Sequence, residues 1–114
     1  MSVYAIAPAP GARRPTPKEV LEAFKQTAAF FKRSSKLPKD PAKGTWRASM
    51  RGLVVDVDGE SFTVQKNAGS DGLIIRMFAL NIANIAGAQI VTDDSGTEWQ
   101  LTPATKPAKK RKRT

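Results

Sequence analysis

The chain has 114 residues, of which 40% are hydrophobic and 25% are charged, and its formal net charge is +9. A chain of this length has room for one domain, and the absence of cysteine and histidine excludes disulfides, thiolate metal sites and Ser–His or Cys–His hydrolases. We therefore expect a binding protein and not an enzyme, with no metal and no other cofactor.

The charges are sorted along the chain. Residues 1–44 contain nine Lys/Arg and three Asp/Glu, residues 45–101 contain four and seven, and residues 102–114 contain six and none. The net charges of these segments are therefore +6, −3 and +6, which sum to the total of +9. Basic segments on both sides of a slightly acidic domain indicate a polyanion partner, and we expect nucleic acid.

The first predicted elements are an arm and a helix. Residues 1–15 contain three prolines and two adjacent arginines, a composition that predicts an extended arm. The tetrapeptide Thr16-Pro-Lys-Glu19 has the pattern of a capping box with proline at the first helical position. An amphipathic helix should therefore begin here and occupy 16–35.

The lysines of this helix allow two interpretations. Lys18, Lys25 and Lys32 recur every seven residues and form a row beside the apolar face. The row is either the solvated side of a helix that docks on a core or a rail that binds phosphates.

The aromatic residues of the helix suggest self-association. Without the proline-rich start and the basic end, about 85 residues remain, and a core of that size is only marginally stable alone. Phe24, Phe30 and Phe31 could form a contact between two copies, because Phe30 lies outside the main apolar arc. We therefore expect a homo-oligomer.

Strand-like periodicity begins after a linker at 36–44, which contains two prolines. A long strand is predicted over 46–57, with a bulge or bend at Gly52. The dipeptide Asp58-Gly59 predicts a tight turn into a return strand over 61–65.

The remaining predicted elements are shorter. A third, largely buried strand is predicted over 73–78, whereas 81–87 could form either a helical turn or a short strand. A second hairpin follows, with strands over 89–92 and 97–101 around a turn at 93–96.

These elements predict an α+β fold in which an N-terminal amphipathic helix precedes a small antiparallel β-barrel or strongly bent sheet of about five strands. A disordered basic tail completes the chain. The predicted divisions for the arm, helix, linker, β domain and tail are 1–15, 16–35, 36–44, 45–102 and 103–114.

Two barrel families provide resemblances. A long strand that contains Gly52, with an element at 81–87 between later strands, resembles the OB-fold. The run Gly52-Leu-Val-Val-Asp-Val-Asp58, followed by alternating apolar residues, resembles the first motif of Sm-like RNA-binding proteins, and Ile82-Ala-Asn-Ile85 resembles the end of their second motif. Both resemblances imply a nucleic-acid-binding barrel. In size, composition and charge layout, the chain also resembles small single-stranded-DNA-binding and regulatory proteins of bacterial viruses.

Candidate nucleic-acid contacts occur on the β domain and in the tail. A single-strand surface combines aromatic faces for bases with cations for phosphates. On the β domain, the candidates are Arg47, Arg51, Lys66, Arg76, Trp46 and Phe78. For Trp46 and Phe78, packing in the core is the alternative. The tail supplies five consecutive cations, each able to bind a phosphate and release a counterion: Lys109, Lys110, Arg111, Lys112 and Arg113.

The acidic residues cluster at the two predicted turns and invite a metal-site interpretation. Local turn chemistry explains them better, because aspartate favours turns through side-chain bonds to the backbone. These residues are Asp56, Asp58, Glu60, Asp93, Asp94 and Glu98. They could also hold the basic tail when no nucleic acid is bound.

The predicted function is sequence-independent binding of nucleic acid, with single-stranded DNA favoured over RNA, in replication or transcription. One alternative is an adaptor or inhibitor of a polymerase or another nucleic-acid enzyme, and another is a virion or ribonucleoprotein component with basic arms. No apolar run approaches the ~20 residues that span a membrane. We expect a cytoplasmic or nucleoid-associated protein, or a nuclear one in a eukaryotic host, where the tail resembles an import signal.

Overall fold

The computed structural model describes residues 2–40, 43–59, 61–66 and 72–103. Seven strands form one sheet in the order β2-β3-β4-β5-β1-β6-β7, and every neighbouring pair is antiparallel. The elements in chain order are β1 (Ser2–Pro8), α1 (Pro17–Phe31), β2 (Ser35–Lys36), β3 (Thr45–Met50), β4 (Leu53–Asp58), β5 (Ser61–Lys66), α2 (Leu73–Ala86), β6 (Gln89–Thr92) and β7 (Glu98–Leu101).

The α+β class is confirmed, but the predicted barrel is wrong. The sheet is open, with β2 and β7 at its two edges, and it has seven strands instead of about five. The helices α1 and α2 cover one face of the sheet and pack against each other in a common core. Closure is not needed, because two helices bury the face that a barrel would have turned inward.

The prediction that the helix is N-terminal is also wrong, because β1 precedes it. The segment predicted as an arm contains this strand, which lies in the middle of the sheet between β5 and β6. Ile6 is buried against the helices, whereas Ala5 and Ala7 lie on the opposite, exposed face. Pro8 is compatible with this position because it is the last residue of the strand.

The predicted strand over 46–57 is a hairpin. Met50 pairs with Leu53, so the chain turns through Arg51 and Gly52, and Gly52 has a φ of 95°. A glycine adopts this positive φ without steric cost, which explains why it stands at the turn. The bend expected at Gly52 is therefore a complete reversal that separates β3 from β4.

The predicted strand over 73–78 and the ambiguous segment 81–87 belong to one helix, α2. Seven residues of this helix are buried. They recur with a helical period: Ile74, Ile75, Phe78, Ala79, Ile82, Ala83 and Ala86. The apolar start Leu73-Ile74-Ile75 resembles a buried strand when it is considered alone, because a short apolar run fits either structure.

The predicted start of α1 is confirmed. Thr16 Oγ1 accepts a hydrogen bond from the Glu19 backbone N–H at 3.2 Å, and Glu19 Oε1 accepts one from the Thr16 N–H at 2.9 Å. Arg13 adds two hydrogen bonds to the same carboxylate, at 2.7 and 2.6 Å. The hydrogen bond from Arg13 is the main reason that the pKa of Glu19 is lowered to about 2.

The two faces of the sheet differ in composition. The covered face carries Trp46, which is buried, and three partly buried aromatic residues that pack against the core, Tyr4, Phe62 and Trp99. A partly buried hydrogen bond from Asn81 Nδ2 to Thr27 Oγ1, at 2.9 Å, joins the two helices above this face. The opposite face, which we call the open face, carries mostly polar and small side chains, with Val3, Val54 and Ile90 among them.

Candidate functional site

Several basic residues converge at one end of the sheet. The β3–β4 turn lies there, and β5 ends beside it because Val54 pairs with Gln65. Helix α1 also ends there, since Ser35 follows it and pairs with Met50. The start of α2 is at this end too, because its other end bonds to the Arg13 backbone beyond the far end of β1.

Four cations form what we call the basic corner: Lys32, Arg33, Lys36 and Arg51. Arg33 crosses from the end of α1 to the turn, where its Nη1 donates to the Arg51 carbonyl oxygen at 2.8 Å. None of the four pairs with a carboxylate in the part of the chain that the structure describes. The corner is therefore a local excess of positive charge that favours an anion.

A cleft of about 320 Å³ lies at the basic corner, against the neighbouring segments 34–36 and 49–51. Its lining consists of Ser34, Ser35, Lys36, Ser49, Met50 and Arg51. Among the described residues, the lining includes no carboxylate, and its three serine side chains make no hydrogen bond to another described residue. The described lining therefore includes residues with hydroxyl and cationic donors beside apolar surface.

The end of α1 does not oppose an anion as strongly as a bare helix C-terminus would. The Lys32 N–H donates to the Ala29 carbonyl oxygen at 3.2 Å, and the Arg33 N–H donates to that of Ala28 at 2.9 Å. This Schellman arrangement satisfies carbonyl groups that would otherwise repel an anion. It also places Lys32 in the left-handed region, with φ 55° and ψ 46°.

Two of the predicted helix lysines lead to the corner. Lys18 and Lys25 are exposed on α1, and the helical rise separates their backbones by about 10 Å. Lys32 stands one further interval along the chain and belongs to both the lysine row and the corner. The row and the corner therefore form one basic track along α1 and around its end.

Lys66 and Arg76 lie at the same end of the molecule. Lys66 is the half-buried last residue of β5, and Arg76 is exposed on the first turn of α2. Arg76 and Phe78, which fall in the predicted strand over 73–78, are both in α2, where they point in different directions. Arg47 and Arg51 likewise belong to different regions, since the chain reverses at Arg51.

Arg47 lies on the open face and is already paired. Its Nε donates to Asp56 Oδ1 at 2.6 Å and its Nη2 donates to Asp56 Oδ2 at 3.2 Å. The hydrogen bond to Asp56 raises the pKa of Arg47 further above its ordinary value. This bidentate pair neutralises the charge that was expected to bind a phosphate.

The predicted stacking residues are not available as platforms. Phe78 is completely buried in α2, and Trp46 is 8% exposed on the covered face. Among the described residues, the strands place no aromatic side chain on the open face. The expectation that Trp46 and Phe78 stack on bases is therefore corrected: both rings belong to the core.

The three phenylalanines of α1 have different environments. Phe24 is completely buried, so its assignment to a contact between copies is wrong, and Phe31 is partly buried against the core. Phe30 is 62% exposed and meets Phe31 edge-to-face, with ring centroids 5.0 Å apart. The predicted contact between copies is therefore reduced to Phe30 and the partly exposed Phe31 beside it.

One of the acidic turn residues, Asp93, makes local side-chain bonds. Asp93 Oδ1 accepts hydrogen bonds from the Ser95 N–H, the Ser95 hydroxyl and the Thr97 N–H. The bond from the Ser95 hydroxyl is the main reason that the pKa of Asp93 is lowered. This geometry agrees with the interpretation of Asp93 as a turn residue.

The predicted tail cations, Lys109, Lys110, Arg111, Lys112 and Arg113, lie outside the described residues. Within the described part of the chain, neither helix has the length and apolar character needed to cross a membrane. Comparison with protein-family models, with curated proteins and with solved structures finds no match to this chain.

Sequence reasoning missed Arg33, Lys36 and the serines of the cleft as candidate site residues. The run Lys32-Arg-Ser-Ser-Lys36 is visible in the sequence and combines cations with hydroxyls. That signal could have indicated half of the cleft. The other half, Ser49 to Arg51, is brought to it only by the pairing of β2 with β3.

Proposed function

We propose that this protein binds nucleic acid through backbone phosphates, without preference for base sequence. The observation that carries the proposal is the basic corner, where four cations stand together without a described carboxylate partner. Cations of this kind gain affinity by releasing the counterions that surround phosphates. Phosphate contacts carry no sequence information by themselves, so the binding should be independent of sequence.

The path of the cations favours single strands. The track follows α1 from Lys18 and then bends around the end of the helix to Arg51, which lies on a different element. A flexible single strand can follow this bend, whereas duplex DNA has a persistence length of about 150 base pairs and resists it. The proposed preference therefore derives from strand flexibility and no longer from stacking on the sheet.

The test is fluorescence anisotropy of labelled single-stranded and duplex DNA and RNA at several salt concentrations. The logarithm of the association constant should fall linearly with the logarithm of salt concentration. For about five phosphate contacts on a single strand, we expect a slope of about −3.5. Single strands should bind more tightly than duplexes at each salt concentration.

Two matched double variants show whether the corner is responsible. Lys36→Gln/Arg51→Gln removes two corner cations, and Arg14→Gln/Lys43→Gln removes two exposed cations that lie away from it. The corner variant should lose roughly tenfold or more in affinity, while the control should lose far less. Equal losses in both variants would show that net charge alone governs binding, and an absence of binding by the unaltered chain would overturn the proposal.

A further inference from the structure

The cleft in the basic corner offers more donors than one backbone phosphate uses. A phosphodiester has two unshared oxygens and one negative charge, whereas a phosphate monoester has three such oxygens and nearly two charges at neutral pH. Ser49 lies on the same face of the sheet as Lys36, whereas Ser35 and Met50 lie on the opposite face, so the cleft combines the Ser49 and Ser34 hydroxyls with the charged groups of Lys36 and Arg51. This donor set is better matched to the monoester.

We infer that the cleft binds a phosphate monoester, of the kind found at the phosphorylated end of a nucleic-acid strand. The inference rests on the proposed function for its macromolecular partner and adds the chemical group that the corner recognises. The binding group is the terminal phosphate, and the cations of the lysine row would then contact the strand that continues from it.

The pairing of β2 with β3 places the donors of the two segments side by side. Lys36 is directly opposite Ser49 and on the same face of the sheet, a relation that places their Cβ atoms about 5 Å apart. Their ammonium and hydroxyl groups can therefore reach one anion. Ser34 and Arg51 stand one residue beyond the pair Ser35–Met50, on the adjoining part of the rim.

The surroundings of the cleft favour a doubly charged group. Arg33 is held against the Arg51 carbonyl group and adds a third positive charge near the lining residues. Lys32 adds a fourth positive charge at the end of α1. Its backbone has the left-handed conformation, which L-residues seldom adopt. Because the described residues of the lining include no carboxylate, each additional negative charge on the ligand strengthens its attraction to the site.

The direct test compares oligonucleotides of one sequence with a 5′-phosphate, a 3′-phosphate or hydroxyl groups at both ends. We expect about tenfold tighter binding when the favoured end is phosphorylated, because hydrogen bonds to charged groups are the stronger class. Ser49→Ala and Lys36→Gln should reduce this ratio toward one. Lys43→Gln, a lysine variant outside the cleft, should leave the ratio unchanged, and circular dichroism would establish that each variant is folded.

A second measurement uses small ligands, so that failure of the inference and failure of the proposed function can be separated. Inorganic phosphate, a nucleoside 5′-monophosphate and the matching nucleoside are each titrated while amide NMR shifts are recorded. Shifts at Ser35, Ser49 and Arg51 with the monophosphate, and not with the nucleoside, would support the cleft even if no oligonucleotide bound. Shifts with inorganic phosphate alone would show that the site takes a free anion and would overturn the recognition of an esterified phosphate.

Two other outcomes would overturn the inference. If oligonucleotides bind equally well with and without a terminal phosphate, the cleft is not selective, although phosphate-backbone binding by the track would stand. If the phosphorylated end is preferred but Ser49→Ala and Lys36→Gln leave the preference intact, the recognition site is elsewhere on the molecule.

Discussion

Arg47 and Arg51 belong to the same β3–β4 hairpin, but their surroundings differ. Arg47 is on the open face, and its guanidinium group donates hydrogen bonds to both carboxylate oxygens of Asp56. Arg51 is at the turn, where its carbonyl group is the acceptor for another cation, Arg33. The open face therefore has a neutralised arginine, whereas the basic corner has an unneutralised one.

The same contrast separates the two ends of α1. At the start of the helix, Glu19 accepts two hydrogen bonds from Arg13 and is part of the capping box. At its end, Lys32 and Arg33 have no carboxylate partner among the described residues. The availability of a cation for a ligand is thus decided by its neighbours and not by its exposure, since Arg47 is exposed as well.

The largest expected effect comes from removing the unpaired cations. The triple variant Lys32→Gln/Lys36→Gln/Arg51→Gln should weaken nucleic-acid binding about a hundredfold at low salt and reduce the magnitude of the salt slope by about two. Arg47→Gln should change affinity by no more than about twofold, because Asp56 already neutralises that charge. Comparable losses in anisotropy titrations of these two variants would break the distinction between the corner and the open face.

The paired end of α1 should show itself in the pH dependence of stability. The pKa of Glu19 is lowered from 4.5 to about 2 in the folded chain. The contribution of the ionised carboxylate to the free energy of unfolding is therefore complete above about pH 4.5 and is lost as the pH falls toward 2. After allowance for solvent screening, this contribution is about 1–2 kcal/mol. Urea unfolding at pH 6 and pH 2.5 should show a smaller drop for Glu19→Gln than for the unaltered chain; identical drops would contradict the pairing.

Freeing Arg47 should convert part of the open face into a contact surface. In Asp56→Asn the arginine loses its ionic partner, and we expect affinity for nucleic acid to rise about threefold at low salt. Asp94→Asn adds the same net charge at an exposed turn residue without releasing an arginine, so it should raise affinity less. Equal gains in binding titrations would attribute the effect to net charge.

The smallest expected effect concerns the backbone at Lys32. Glycine adopts the left-handed conformation without steric cost, so Lys32→Gly should raise the free energy of unfolding by about 0.5 kcal/mol, the relief of strain being partly offset by unfolded-state entropy. The same variant should bind nucleic acid about threefold more weakly. A loss of stability above 1 kcal/mol in urea unfolding would show instead that the lysine side chain supports the fold.

Local features of the fold could be predicted because their causes are local. The start of α1 depends on bonds between Thr16 and Glu19, three residues apart, and the β4–β5 turn depends on Asp58 and Gly59. Both follow from residue types at fixed spacing. The turn Asp93 to Gly96 was predicted for the same reason, and its side-chain bonds are within that segment or next to it.

The elements that were predicted wrongly depend on distant partners. β1 is a strand because β5 and β6 lie on its two sides, and those strands are more than fifty residues away along the chain. When the local sequence is considered alone, the apolar residues of α2 fit either a strand or a helix. In the structure they form a helix, and this helix packs against α1. The candidate site was predicted in part for the same reason: Arg51 and Lys32 were recognised as cations, but their convergence was not.

The sequence by itself determined the excess and sorting of charge, the absence of histidine and cysteine, the start of α1, and the turns at 58–59 and 93–96. Only the tertiary structure decided which cations pair with a carboxylate and which remain available to a ligand. Arg47 meets Asp56 through strand register, and Arg33 reaches Arg51 across eighteen residues because β2 pairs with β3. Charge is a property of each residue, whereas neutralisation depends on the distance to a partner, and the fold sets that distance.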